Sequence, residues 1–148
     1  MVTINNKILD ICDVESLAIK FSKELSKNDV IFLRGDLGAG KTTFVRFVIK
    51  NLYLLNNKII NENIVSPTYP ILLTYNLKSF EIYHYDFYRI KNVKDIEELD
   101  FFENIQDSIT FVEWPEILMR LPFKQKHYII DFDLHSENKR VVNIKYFE

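Results

Sequence analysis

The stretch Gly35-Asp36-Leu37-Gly38-Ala39-Gly40-Lys41-Thr42 matches the phosphate-binding pattern G-x-x-x-x-G-K-[ST] at every fixed position. A polyphosphate is held by closely spaced backbone N–H groups turned inward. Such a nest needs dihedral angles that a Cβ obstructs, so glycine belongs at 35, 38 and 40. These are the only three glycines among 148 residues. A chain that closes its other turns without glycine, and concentrates all three in one loop, points to close approach of a ligand to the backbone there. Lys41 offers a charge to the β- and γ-phosphates, and Thr42 offers a hydroxyl to Mg²⁺. The expected nucleotide contacts are Asp36, Leu37, Gly38, Ala39, Gly40, Lys41, Thr42 and Thr43, with Lys41 also serving catalysis.

The flanks agree with this reading. Asp29 to Leu33 reads as a buried strand, and Thr42 to Leu55 as a helix whose N-terminal dipole would face the phosphates, with Phe44, Val45, Phe47, Val48 and Leu52 inward. Upstream, Thr3 to Asp10 reads as a strand or hairpin. Asp13 is a candidate N-cap for a helix with Val14, Leu17, Ala18, Phe21 and Leu25 on one face. Downstream, polar residues 56–63 form a loop that leads into Ser66-Pro67-Thr68, where a hydroxyl that senses the γ-phosphate and an ordinary turn are equally compatible with the spacing. Ile71 to Tyr75 and Phe80 to Asp86 form a hairpin, with Ile82, His84 and Asp86 on one face and Tyr83, Tyr85 and Phe87 on the other. A short helix is expected over Asp95 to Phe102 and a buried strand over Ile109 to Val112. Pro115 opens a short helix to Arg120, and a terminal hairpin runs through 127–134 and 139–146. The predicted fold is α/β: a P-loop NTPase-like, largely parallel sheet flanked by helices, with antiparallel hairpin strands at its edges, in a single domain spanning residues 1–148.

Composition narrows the function. The formal charge is −2 and the pI about 5.9, whereas proteins that grip nucleic acid directly carry a basic excess, so a nucleic-acid connection is expected to run through a partner. Cys12, the one cysteine, cannot form an internal disulfide and is expected to be a small buried hydrophobe. With no signal-peptide pattern and no membrane-length apolar run, the expected compartment is the cytoplasm. The three histidines show no metal-ligand spacing.

A P-loop enzyme needs an acid at the end of a buried strand to hold or orient Mg²⁺. Glu113, after the apolar Ile109 to Val112, and Asp86, at the end of the Phe80 to Tyr85 run, both qualify. Arg89 fits either stabilisation of phosphoryl charge or a structural pair with Asp86, and spacing does not decide between them. The guanine-reading string Asn-Lys-x-Asp has only Asn57-Lys58-Ile59-Ile60 as its nearest counterpart, which favours ATP.

Four motifs in order, the P-loop through Thr43, Ser66-Pro67-Thr68-Tyr69, His84-Tyr85-Asp86-Phe87-Tyr88-Arg89 and Val112-Glu113-Trp114-Pro115, make the chain resemble the TsaE family, with Glu97-Glu98-Leu99 fitting between them. The resemblance implies an ATPase of tRNA threonylcarbamoyladenosine biosynthesis that works with TsaD- and TsaB-like proteins, reaching tRNA only through that complex. It also implies that Thr42 and Glu113 serve Mg²⁺, that Asp86 supports hydrolysis, and that the Ser66 to Thr68 loop is a switch. For adenine contacts it suggests only the region of Asp13 and Arg140. Glycines that the family commonly places before the first strand and after the P-loop helix are replaced here by Asn28 and by Asn56 or Asn57, residues that tolerate the left-handed conformation. Two other readings remain: a small-molecule P-loop kinase, and a nucleotide-dependent assembly subunit with negligible hydrolysis.

Overall fold

The computed structural model describes every residue from Met1 to Glu148. Seven strands, β1 (Ile4–Leu9), β2 (Val30–Arg34), β3 (Leu72–Asn76), β4 (Glu81–Asp86), β5 (Ser108–Glu113), β6 (His127–Ser136) and β7 (Lys139–Phe147), lie in the order β1-β7-β6-β2-β5-β4-β3. The middle strands β6, β2, β5 and β4 run parallel, while β1 and β7 on one side and β3 on the other add antiparallel edges. This is the α/β arrangement expected from the sequence. Strands covered on both faces read as near-continuous apolar runs; all six residues of β5 are buried, and its Ser108 and Thr110 hydroxyls bond each other.

Two helices cover one face of the sheet. Helix α1 (Ile11–Ser22) buries Val14, Leu17, Ala18 and Phe21, and α2 (Lys41–Leu55) buries Phe44, Val45, Val48, Ile49, Leu52 and Tyr53. Phe21 and Phe44 meet at 5.6 Å between ring centres, joining the two helices. The opposite face is covered by the short helices α3 (Val93–Glu97) and α4 (Phe101–Asn104) and by a 3₁₀ turn, Pro115–Arg120. There Phe101 packs edge-on against Tyr85 and Phe87.

Three local expectations are corrected. Asp10, not Asp13, is the N-cap of α1: Asp10 Oδ1 accepts from the Asp13 backbone N–H at 2.9 Å and Asp13 Oδ2 from that of Asp10 at 3.2 Å, a reciprocal capping box. Because the helix starts earlier, Cys12 lies on its exposed first turn rather than in the core. The single helix expected over Asp95 to Phe102 is broken into α3 and α4 by Asp100, which adopts φ +53°. Asn28 and Asn57 do take the left-handed conformation, at φ +70° and +55°, whereas Asn56 caps α2 at φ −100°.

Candidate functional site

The glycine loop leaves β2 at its C-terminal end, between β5 and β6, and turns directly into α2. In open α/β sheets this carboxyl edge is where ligands bind. Gly35 is required by close approach, since a Cβ there would lie 2.3 Å from the Phe132 carbonyl oxygen. Gly38, at φ +77°, has no atom within 4 Å of the position a Cβ would take, so the loop backbone stands bare toward open space. Helix α2 begins at Gly40 with no side-chain cap and no acid in its first turn. Its first N–H groups are thus left to an external acceptor such as phosphate.

Two of the cavities that border this loop share Gly38, Gly40 and Thr43. The larger, about 350 Å³, is walled by the start of α1 (Asp10, Ile11, Cys12, Val14), by Phe132 and by the β6–β7 turn with Arg140. Arg140 ties that turn to the loop: Nε donates to the Ala39 carbonyl at 3.0 Å, and Nη1 donates to the Ser136 carbonyl at 3.1 Å. Asp13 does not line this cavity. No sequence pattern pointed to the turn as its second wall, because the β6–β7 hairpin reaches the loop only through strand order.

The smaller cavity, about 190 Å³, gathers Lys41, Thr42, Thr43, Ser66, Thr68, Asp86, Glu113 and Trp114. Parallel pairing of β4 with β5 sets Asp86 opposite Glu113, so the two strand-end acids arrive side by side. Thr42 Oγ1 lies 2.8 and 3.0 Å from the two Glu113 oxygens. Thr68 Oγ1 donates to Asp86 Oδ2 at 2.7 Å, and the Tyr88 backbone N–H donates to Asp86 Oδ1 at 2.9 Å. Lys41 Nζ donates to the Gly35 and Asp36 carbonyls and lies 4.2 Å from the centre of the Trp114 ring, a cation–π contact. Burial lowers the Lys41 pKa below the ordinary lysine value, against the opposing pull of Glu113, Asp86, Glu116 and Asp36. Of these acids, Asp86 and Glu113 line the cleft with Lys41.

Of the two courses the sequence left open to Arg89, the structural pair with Asp86 is not formed. The Arg89 Nε donates to the Thr68 carbonyl at 2.9 Å and its Nη2 to the Tyr69 carbonyl, so it grips the 66–69 loop rather than pairing with Asp86. That loop ends at Ile71, φ +69°, and Glu113 is followed by Trp114, φ +56°. A β-branched residue in the left-handed region is a real outlier. Strained positions of this kind gather at switching and active sites.

The sequence model of the family described as "Threonylcarbamoyl adenosine biosynthesis protein TsaE" matches residues 10–142. The chain belongs to the TsaE family. A Rickettsia prowazekii relative named "tRNA threonylcarbamoyladenosine biosynthesis protein TsaE" is 41% identical over 97% of this chain and 93% of its own length. An Aquifex aeolicus relative of the same name is 34% identical over 89% and 88%. The crystal structure of YdiB from Bacillus subtilis superposes with TM-score 0.65 over 97% of this chain and 87% of that one; at 20% identity it speaks for the fold. The loop and the smaller cavity lie inside the segment that the family model covers, as does every lining residue of the larger cavity except Leu9.

Hard oxygen donors are what Mg²⁺ takes, usually one or two carboxylates or hydroxyls with the rest from phosphate and water. The Thr42 hydroxyl against the Glu113 carboxylate, with Asp86 beside them, fits that ion. No cluster of three or more His, Cys, Asp or Glu forms an all-protein metal cage.

Proposed function

We propose that this TsaE-family chain hydrolyses ATP with Mg²⁺ in the cytoplasm, supporting formation of threonylcarbamoyladenosine in tRNA together with TsaD- and TsaB-like proteins. The observation that carries the reading is the convergence of Thr42, Glu113 and Asp86 beside the uncapped start of α2. In this reading the nucleoside occupies the larger cavity beside Arg140, and the β- and γ-phosphates lie along residues 36–43. Lys41 supplies positive charge at the phosphates, where a low-dielectric wall including Trp114 strengthens it. Thr42 and Glu113 hold the metal, which when bound neutralises developing charge on the phosphate oxygens. Asp86 orients the attacking water or the metal's hydration shell, and Thr68, now bonded to Asp86, is the residue that senses the γ-phosphate.

The same cleft explains an expected dependence on partners. Arg89, which holds the 66–69 loop, has its Nε and Nη2 committed to backbone carbonyls, and Arg140 on the other side donates to the Ala39 carbonyl. An arginine supplied from outside, or a loop ordered by a partner, raises turnover by about 10³–10⁵ in other P-loop systems. We therefore expect slow phosphate release from the chain alone and an increase when TsaD- and TsaB-like proteins are titrated in at saturating ATP. Lys41→Ala should abolish both while leaving circular dichroism unchanged. A flat response of the parent chain to partners would defeat the assisted-ATPase reading and leave the assembly-subunit alternative. Turnover that required an acceptor metabolite instead would favour a kinase.

A further inference from the structure

We infer that His84 is a positioning residue for the Glu113 carboxylate, fixing its rotation from beneath the phosphate cleft. The inference rests on the reading of Glu113 as a metal-serving acid. Residues 84 and 86 share one face of β4, and parallel register sets His84 opposite Phe111 and Asp86 opposite Glu113. The imidazole thus sits one step below the acids, at 0% exposure, and does not line the phosphate cavity. From there Nε2 lies 2.8 Å from Glu113 Oε1.

The other ring nitrogen decides the tautomer. Nδ1 is buried with no hydrogen-bond partner. Were the single hydrogen on Nδ1, a donor would be stranded and two lone pairs would face each other across the Nε2 to Oε1 contact. With the hydrogen on Nε2, the contact is a donated hydrogen bond and only an acceptor is left unmet. Packing alone does not call for an imidazole here, because a leucine or phenylalanine would fill the space without burying an unpaired nitrogen. The bond to Glu113 supplies the reason.

Its consequence lies in how the carboxylate is shared. The Thr42 hydroxyl has one hydrogen for two Glu113 oxygens, at 2.8 and 3.0 Å, and so does not fix the carboxylate's rotation. Thr42 also belongs to the cleft and must adjust when the cleft fills. His84 lies outside it, so filling the cleft need not displace its hold on Oε1, which leaves Oε2 to the cation. Partners behind a metal-serving group typically change metal affinity or activity by about 10–100-fold when removed.

Two polar substitutions separate positioning from packing. In His84→Gln the side-chain amide nitrogen reaches about where Nε2 sits; in His84→Asn it stops near Nδ1, short of Glu113. Each variant, with the parent and Glu113→Gln, is titrated with Mg²⁺ in the presence of ADP, reading fluorescence of Trp114, the only tryptophan. Melting temperature and ADP affinity in EDTA are measured alongside. The expected result is a Mg²⁺ midpoint raised about 10-fold in His84→Asn and less than about 3-fold in His84→Gln, with metal-free ADP affinity unchanged in both. If His84→Asn does not fold, His84→Leu, which removes the donor and the orphan nitrogen together, should show the same displaced midpoint. Equal midpoints for the Gln and Asn (or Leu) variants, while Glu113→Gln is displaced, would overturn the inference and leave the metal reading standing. A Mg²⁺ response that is absent in the parent or unaltered in Glu113→Gln would overturn the metal reading, and the role of His84 with it.

Discussion

On one side of the glycine loop, the β6–β7 turn is held by a long antiparallel ladder with one irregularity between Leu134 and Ser136, and Arg140 bridges it to the Ala39 carbonyl. On the other side, the 66–71 segment belongs to no strand and hangs mainly from side chains, Thr68 on Asp86 and Arg89 on the Thr68 and Tyr69 carbonyls, with one backbone bond from the Asp86 N–H to the Ile71 carbonyl. The first wall changes only if a sheet edge moves. The second is held by a few isolated bonds, each worth about 1 kcal/mol net and up to about 3 where a charged group takes part, and it ends on a left-handed non-glycine residue, Ile71, with a second, Trp114, across the cleft after β5. A loop flanked in this way is suited to holding a nucleoside against a fixed surface while letting the phosphate end rearrange. Under the proposed ATPase reading, substitutions on the two sides should then affect different quantities.

The largest effect is expected on the phosphate side. Asp86 is almost fully buried, and its two oxygens are split between the Thr68 hydroxyl and the Tyr88 backbone N–H. Asp86→Asn keeps the shape and can keep one accepted bond, yet removes the charge that orients water or the metal shell. Partner-stimulated phosphate release should fall by about 10²–10³, the range seen when one preorganised polar group is lost from an active site. ADP affinity by calorimetry should stay within about threefold. A loss of nucleotide affinity as large as the loss of rate would mean that Asp86 helps build the binding wall, and the contrast between the two sides would fail.

A smaller and opposite pattern is expected from Arg140→Ala. It removes the link between the turn and the P-loop carbonyls and takes one side chain from the 350 Å³ cavity, while touching none of the acids. One or two hydrogen bonds at about 1 kcal/mol each correspond to roughly 5- to 30-fold weaker binding of ADP and ATP alike. The maximal rate at saturating ATP should hold to within about twofold. A fall in maximal rate with unchanged affinity would show that this wall also works on the phosphates.

How much of this was legible in the sequence follows from how local each feature is. The glycine loop was readable because three glycines with Lys41 and Thr42 form one contiguous string whose dihedral needs are local. Asp86 and Glu113 were readable as strand-end acids because apolar runs precede them, and the parallel sheet makes them neighbours. His84 belongs to the His84-to-Arg89 motif, but its bond to Glu113 depends on the register between two strands, which no single stretch encodes. Arg140 was visible only through the family resemblance, since it meets the loop 101 residues earlier in the chain. Asp13 was mistaken for the cap because Asp10-Ile11-Cys12-Asp13 carries an acid at both ends of a capping box, and only geometry tells cap from third residue. Cys12 was expected to be buried among Ile8, Leu9 and Ile11, but only Leu9 of these three reaches the core, and Cys12 shares the exposed first turn with Ile11.

The smallest expected effect tests whether strain belongs to the movable side. Ile71 holds φ +69°, its backbone N–H donates to the Pro67 carbonyl at 2.6 Å, and its carbonyl accepts from the Asp86 N–H at 2.9 Å, so both its neighbours in the cleft depend on a conformation it disfavours. A non-glycine residue held there stores about 1–3 kcal/mol. Asparagine tolerates the left-handed region far better than a β-branched side chain, and its unfolded chain gains less freedom than glycine's would. Ile71→Asn should therefore relax the clasped arrangement in which Thr68 bonds Asp86. Lost packing of the half-buried isoleucine offsets that gain, which predicts a melting temperature within about 5 °C of the parent. If a γ-phosphate draws Thr68 away from Asp86, a relaxed clasp opposes it. Affinity for a non-hydrolysable ATP analogue should then drop about 3- to 10-fold, the equivalent of about 1 kcal/mol, while ADP affinity stays the same. Calorimetric titration of both nucleotides gives the comparison directly. Equal shifts for ADP and the triphosphate would place the strain of Ile71 in static wall-building rather than in the response to the γ-phosphate, and the 66–71 segment would then be as fixed as the hairpin across from it.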